Sequence, residues 1–183
     1  MTREEALILL NENLENKNLF KHSLAVEAVM RELAAHFKED PETWGLAGLL
    51  HDIDYENTKD DPVRHSLEGA QLLQEKGLPD NIVYAVKVHN DRHGLPRLSL
   101  MDKALFSTDP VTGLIVAGAL IKKEKSLAAI DVPFLVKRMG EKAFARGANR
   151  ETINTCSELG LSLEQFLGIS LLAMQKISNK MGL

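Results

Sequence analysis

The sequence predicts an all-α fold, and three observations predict it. Apolar residues recur at three- and four-residue spacing in one segment after another. No stretch shows the strict alternation of a half-buried strand. Capping residues and prolines stand where helices should begin. In chain order, Thr2 with Glu5 has the spacing of a capping box and opens a short first helix. Asn18 is expected to cap a second, from about Leu19 to Phe37, with Leu19, Val26, Val29, Met30 and Leu33 as its stripe. His22 lies on that stripe. Asp40-Pro41, a cap followed by a first-turn proline, opens a third helix carrying Trp44, Ala47, Gly48 and Leu49 and ending near His51-Asp52. After a polar stretch from Asp54 to Asp61, Pro62 is expected to start a fourth helix bearing His65, Ala70, Leu72 and Leu73, closed by Gly77. Pro79 starts a fifth through Ile82, Ala85, Val86 and His89, stopping around His93-Gly94-Leu95-Pro96. Ser99 caps a sixth. A break is expected at Asp109-Pro110, because proline disfavours helical geometry in the residue before it. Helix then resumes from Val111 to Ile121. Shorter helices follow between Ser126 and Phe144, and Asn149 and Ser162 cap the last two.

Composition excludes several functional classes. The 183 residues are 44% hydrophobic and 26% charged, which fits a globular domain large enough to bury its own core. The net charge of −4 argues against general nucleic-acid binding, which needs a basic surface. The lone cysteine, Cys156, cannot form an intrachain disulfide and agrees with a reducing compartment. The opening Met-Thr-Arg-Glu-Glu lacks the basic flank and apolar core of a signal peptide, and no apolar run reaches the roughly 18 residues of a membrane span. A soluble cytoplasmic protein with no membrane partner is expected, with homo-oligomerisation left open.

The chemistry-bearing residues are His22, the pair His51-Asp52, His65, His89 and Asp109. His51 is four residues after Ala47 and seven after Trp44. His89 is four after Ala85 and seven after Ile82. Asp109 is four after Leu105. Helical spacing therefore points each of them where apolar neighbours point. Charged groups are costly to bury unless paired or metal-bound. Any one such histidine reads most simply as a hydrogen-bonded core residue. Six ligand-type residues from five segments together read as a buried site for a divalent metal. One cysteine cannot supply a zinc finger, and the donor set suits zinc, manganese or iron without discriminating among them.

The order of these residues, with the segment Leu49-Leu50-His51-Asp52-Ile53, resembles the HD-domain superfamily of metal-dependent phosphohydrolases. The resemblance covers most of the first 120 residues. It implies that His22, His51, Asp52 and Asp109 hold one metal, and that His65 and His89 hold a second with Asp52 bridging. One or two divalent ions are implied, with iron, manganese, zinc, nickel, cobalt and magnesium not distinguished. The tail from Asp109-Pro110-Val111-Thr112-Gly113-Leu114 onward is similar to a subgroup of small bacterial and archaeal HD proteins described only as predicted hydrolases. One domain over 1–183 is expected, with a metal-site core at about 18–122 and C-terminal helices at about 123–183 packed on it. Two departures stand out. Where many members read His-Asp-Ile-Gly-Lys, this chain reads His51-Asp52-Ile53-Asp54-Tyr55, so the phosphate-binding lysine is replaced. The Gly-Tyr-Pro signature of cyclic-dinucleotide phosphodiesterases is absent.

The expected chemistry follows from charge. Four neutral histidines and two aspartates carry about −2, so two divalent ions leave a positive centre that favours an anionic substrate. A metal-activated hydroxide is the expected nucleophile. The expectation is a phosphohydrolase acting on a phosphate ester of a small molecule, a nucleotide by preference, with Asp52 and His51 at its catalytic heart. With one metal, His65 and His89 would position the phosphate or leaving group. Alternatives are a di-iron oxygenase with the same ligands and a non-catalytic metal- or nucleotide-binding module. Arg92, His93 and Lys59 are weaker candidates for substrate contact. The segment Asp54 to Asp61 reads as a solvated loop or a lid. Lys137-Arg138 and Arg146-Arg150 could meet an anionic tail but read more simply as surface residues. Lys122 and Lys123 suit a helix C-terminus, His36 reads as a surface residue, and Cys156 as a small core residue.

Overall fold

A computed structural model describes residues 1–183. It contains helices and 3-10 turns and no strand. The α-helices are α1 (Arg3–Asn13), α2 (Lys17–Phe37), α3 (Pro41–Leu50), α4 (Tyr55–Thr58), α5 (Leu67–Glu75), α6 (Asp80–Val88), α7 (Leu100–Leu120), α8 (Val132–Met139), α9 (Arg150–Asn154), α10 (Leu163–Lys176) and α11 (Ser178–Met181). The predicted all-α class is the observed one. The capping box at Thr2, the Asp40 cap with Pro41 in the first turn, and the caps at Ser99, Asn149 and Ser162 are all present. No helix is long and apolar enough to cross a membrane.

Helices α2 and α7, each of 21 residues, are the long supports of the molecule. Helix α3 packs on α2, and α10 covers α2 from the C-terminal part of the chain. The core runs through all of them: Leu10, Val26, Met30, Leu33, Leu49, Leu50, Leu105, Leu114, Ile115 and Phe166 belong to one buried apolar cluster. An ionic clasp links the first three helices. Buried Glu27 on α2 accepts from Arg3 Nε at 2.5 Å and Arg3 Nη2 at 2.8 Å, and from Arg31 Nε at 2.9 Å. Arg31 also donates to both carboxylate oxygens of Glu42 at the start of α3.

Three local expectations are corrected. Helix α2 starts two residues early, because Asn16 rather than Asn18 is its cap and accepts the Asn18 N–H at 2.8 Å. The helix expected from Pro62 begins only at Leu67. Ser66 has φ +70°, a left-handed conformation that no helix accommodates, so His65 sits on a turn ahead of α5. Helix α7 does not break at Asp109-Pro110 but runs through it. A proline inside a helix costs about 3 kcal/mol. Burial of α7 side chains on both sides of Pro110, including Leu105, Phe106, Val111, Leu114 and Ile115, outweighs that cost.

Gly48 permits the close approach of α3 to α2. A Cβ there would lie 2.9 Å from Met30 Cγ, 3.0 Å from the Val26 carbonyl oxygen and 3.1 Å from Glu27 Cα. Two of these three are backbone atoms that cannot swing away. Gly48→Ala is therefore expected to destabilise the fold by about 1–3 kcal/mol through overpacking, read as a lower urea midpoint at an unchanged m-value.

Candidate metal centre

The six ligand-type residues converge from five places in the fold: α2, the α3 terminus, the turn before α5, the α6 terminus and α7. Asp52 stands in the middle. Its Oδ2 lies 3.4 Å from His51 Nε2 and 3.6 Å from His22 Nε2. Its Oδ1 lies 3.4 Å from both His65 Nε2 and His89 Nε2. Asp109 Oδ1 closes the first half, 3.0 Å from His22 Nε2 and 3.8 Å from His51 Nε2. Two compact ligand sets result, one of His22, His51 and Asp52 and one of Asp52, His65 and His89. His51 is wholly buried, and His89 and Asp52 are nearly so.

Each imidazole is held by its other nitrogen. His51 sits at the end of α3, and its Nδ1–H donates to the Gly48 carbonyl at 2.9 Å. His89 does the same at the end of α6, donating to the Val86 carbonyl at 2.6 Å. His65 Nδ1–H donates to Asp54 Oδ1 at 3.0 Å. The Thr112 hydroxyl donates to the Asp109 carbonyl at 2.9 Å, so its oxygen accepts from His22 Nδ1–H at 3.1 Å. A carbonyl or carboxylate can only accept, so the proton of each neutral ring is on Nδ1 and the Nε2 lone pair faces the centre.

That arrangement needs positive charge. The Nε2 atoms of His22 and His51 face each other at 3.2 Å, and two carboxylates share the space. His89 Nε2 is buried without any hydrogen-bond partner. Ligands held about 2.1 Å from one ion lie roughly 3.0 Å apart in octahedral cis positions and roughly 3.4 Å apart in a tetrahedron. Five of the separations above, 3.0–3.4 Å, fit that requirement, the 3.6 and 3.8 Å ones lie slightly beyond it, and the donor set of imidazole nitrogens and carboxylate oxygens suits a divalent transition metal.

Without a metal, protons supply the charge. Burial alone would push the His51 imidazole down, but the Asp52 and Asp109 carboxylates outweigh it and hold it well above its ordinary value. Burial likewise opposes charge on His65, and Asp54 and Asp52 raise it. Burial would raise Asp52, yet the neighbouring histidines, His51 first, hold it well below the usual carboxylate range. Asp109 is lowered in the same way, with His22 and His51 overcoming burial.

The polar stretch after the motif divides: Asp54 and Thr58 are buried, Tyr55–Thr58 form α4, and Lys59, Asp60 and Asp61 face solvent. Asp54 is buried and accepts from His65 Nδ1–H, Ser66 N–H and Gly69 N–H. The two backbone bonds are 2.8 Å each and hold Ser66 in its left-handed conformation, which costs about 1–2 kcal/mol for a non-glycine residue. Glu56 accepts from the backbone N–H groups of Glu15 and Asn16 at the entrance to α2. Tyr55 presents its ring edge-on to His65, with centroids 5.3 Å apart. Asp54 and Thr112 are residues that sequence reasoning missed. For Thr112 the only signal is its place three residues after Asp109; for Asp54 it is the departure from the family's glycine.

The weaker candidates fare differently. His93 is tied into the scaffold, with Nε2 2.9 Å from the His65 carbonyl oxygen. Arg92 and Lys59 are exposed and make no side-chain bond to the cluster. Arg150 is turned inward: its guanidinium donates to the carbonyls of Phe144, Ala145 and Ala148. Arg138 pairs with Glu141 and lies over the rings of Phe134 and Phe144. Lys122 lies over Phe134, His36 is exposed and Cys156 is buried.

A cleft of about 230 Å³ opens on the centre, lined by His65, His89, Asn90, Asp109, Asn149 and Thr152 among others. A second, of about 460 Å³, reaches His22 and Thr112 between α2, α7 and residues 181–183. A third, of about 320 Å³, lies around the Arg3–Glu27–Arg31 clasp and includes none of the six residues.

Comparison with known proteins adds to this geometry. A family model described as HD domain matches residues 19–132. Ribonuclease Y of Mycoplasma genitalium is 35% identical over 77 residues, 42% of this chain and 16% of that protein. Ribonuclease Y of Desulfotalea psychrophila is 32% identical over 97 residues, 53% of this chain and 18% of that protein. An uncharacterized protein of Methanocaldococcus jannaschii is 35% identical over 94 residues, 49% of this chain and 54% of that protein. The matches thus span less than a fifth of each of these two Ribonuclease Y chains and about half of the archaeal protein.

A raised histidine contributes stability that is fully present below its ordinary value, about pH 6.5, and is lost as pH rises through the folded value. A lowered carboxylate contributes stability above its ordinary value, about pH 3.9, and loses it as pH falls through the folded value. The urea midpoint of chelator-treated protein should therefore decline on both sides of this range. Asp52→Asn removes the largest support for the charged His51 and should flatten the alkaline decline.

Proposed function

The chain belongs to the HD-domain family of metal-dependent phosphohydrolases, and from that premise we propose that it hydrolyses a phosphate ester of a small, nucleotide-like molecule. The observation that carries this reading is the convergence of four Nε2 lone pairs and two carboxylates beside a cleft of about 230 Å³. His22, His51, Asp52 and Asp109 would hold one divalent ion, and Asp52, His65 and His89 a second. A bound divalent metal supplies Lewis acidity, lowering the pKa of a coordinated water and neutralising charge on phosphate oxygens.

The chain's own residues do the rest. Asp52 and His51 fix the centre of the site on the α3 terminus. The cluster excludes competing hydrogen-bond donors, because every ring N–H points outward to the scaffold. Asn149 and Thr152 line the cleft and can orient the ester's polar groups, while Asn90 is tied to the Pro62 and His65 carbonyls. Water adds to phosphorus, the ester P–O bond breaks, and the alcohol leaves with a proton.

The cleft is smaller than the roughly 300–1,000 Å³ of pockets that engulf drug-sized ligands. It suits a phosphate with a small organic group in contact and the remainder outside. The relatives named Ribonuclease Y point to phosphodiesters of RNA. The net charge of −4 and the modest cleft favour a short or monomeric substrate over a long polyanion.

Two measurements test this. Elemental analysis of untagged protein purified without chelator should find about one to two equivalents of transition metal per chain. Asp52→Ala should abolish metal uptake and phosphate release together in a panel of nucleoside monophosphates and phosphodiesters. Full activity in that variant, or oxygen consumption without phosphate release, would overturn the reading.

A further inference from the structure

We propose that Asp54 is the positioning residue for the His65–His89 half of the centre, and that this half binds its metal only because Asp54 fixes the His65 proton on Nδ1. The inference rests on the ligand reading above. The relevant geometry is local to this chain, which carries a carboxylate and a tyrosine where the family pattern has glycine and lysine.

His65 is the one histidine of the four that is neither in nor capping a helix. It stands on the turn between Asp61 and Ser66, and Ser66 is in the left-handed region. Nothing in the helical scaffold aims its ring. Asp54 does so through three bonds: Oδ1 takes the His65 Nδ1–H at 3.0 Å, and Oδ2 takes the Ser66 and Gly69 N–H groups at 2.8 Å each. The backbone bonds lock the carboxylate, and the locked carboxylate sets the imidazole. Gly69 leaves room for it, since a Cβ there would lie 3.1 Å from Asp54 Cγ and 3.3 Å from both oxygens. Tyr55, edge-on to the same ring, limits its rotation from the other side.

The design predicts an unusual consequence for Asp54→Asn. Two backbone N–H groups need an acceptor, so the amide oxygen must face Ser66 and Gly69. The amide nitrogen then faces His65 and donates to Nδ1. The imidazole proton moves to Nε2, and the ligand lone pair is lost while the fold keeps its contacts. A merely structural Asp54 would produce no such tautomer exchange.

The test loads the wild-type chain, Asp54→Asn and Gly69→Ala with zinc and counts ions by titration and elemental analysis. It also reads the His65 tautomer of the metal-free proteins by nitrogen-detected NMR, at a pH above that at which His65 loses its second ring proton. Wild type should take two ions. Asp54→Asn should keep one at wild-type affinity and bind the second about 10- to 100-fold more weakly, with one histidine changed to the Nε2–H form. Gly69→Ala, which shifts the carboxylate by a few tenths of an ångström, should weaken the same ion to a smaller degree. It decides the matter should Asp54→Asn not fold. Two ions bound at wild-type affinity by the variants, or both ions weakened equally, would overturn the role of Asp54 while leaving the ligand reading intact. A wild-type chain that takes up no zinc would overturn both.

Discussion

Asp52 offers one oxygen to each of two pairs of imidazoles, and the buried charge of that single carboxylate organises everything around it. An isolated buried carboxylate is costly, and its cost is offset only by positive charge brought close. The raised His51 and His65 rings supply it when protonated, and by the function proposed above a divalent metal supplies it better. Either way the rings must face inward with a lone pair or a proton to offer, so their other nitrogens must be tied outward. The scaffold can be understood as the means of tying them. Helices α3 and α6 end where their last turns lend a carbonyl to His51 and His89. Helices α2 and α7 run past each other so that Thr112 meets His22. The segment from Asp54 to Ser66 turns back on itself to present His65.

Much of this was legible in the sequence, for a physical reason. His51 and His89 belong to helices whose apolar stripes extend up to them, and helical spacing alone places them inward. His22 and Asp109 follow from the same periodicity. The caps at Thr2, Asp40, Ser99, Asn149 and Ser162 are local devices that need no tertiary context. The errors arose where distant contacts overrule a local preference. Pro110 should break a helix, but the apolar residues on both sides of it are buried in one core, and that burial outweighs the lost hydrogen bond. Ser66 should continue the helix after Pro62, but two backbone bonds to Asp54, twelve and fifteen residues away, hold it left-handed. Arg150 reads as a surface residue, but three carbonyls of the preceding loop surround its guanidinium.

Asp54 shows the limit most clearly. Read in sequence it is one acidic residue at the head of a polar run, Asp54 to Asp61, and such runs ordinarily face water. Its burial becomes intelligible only once the partners that come from Ser66, Gly69 and His65 are in place. A buried carboxylate satisfied by non-local donors leaves no periodic trace.

The manner in which the four rings are anchored divides them unexpectedly. In each half of the centre one histidine is oriented by a main-chain carbonyl, His51 by Gly48 and His89 by Val86. The other is oriented by a side chain, His22 by Thr112 and His65 by Asp54. The main-chain anchors persist through almost any substitution that preserves the helix. The side-chain anchors can each be exchanged by a single codon. Each half therefore has an invariant arm and an adjustable one, and the two adjustable arms lie on separate parts of the chain. Mutational drift at position 112 or 54 can retune one half of the site without disturbing its neighbour. One scaffold can thus yield descendants that differ in how many ions they hold while sharing the same six inward-facing residues.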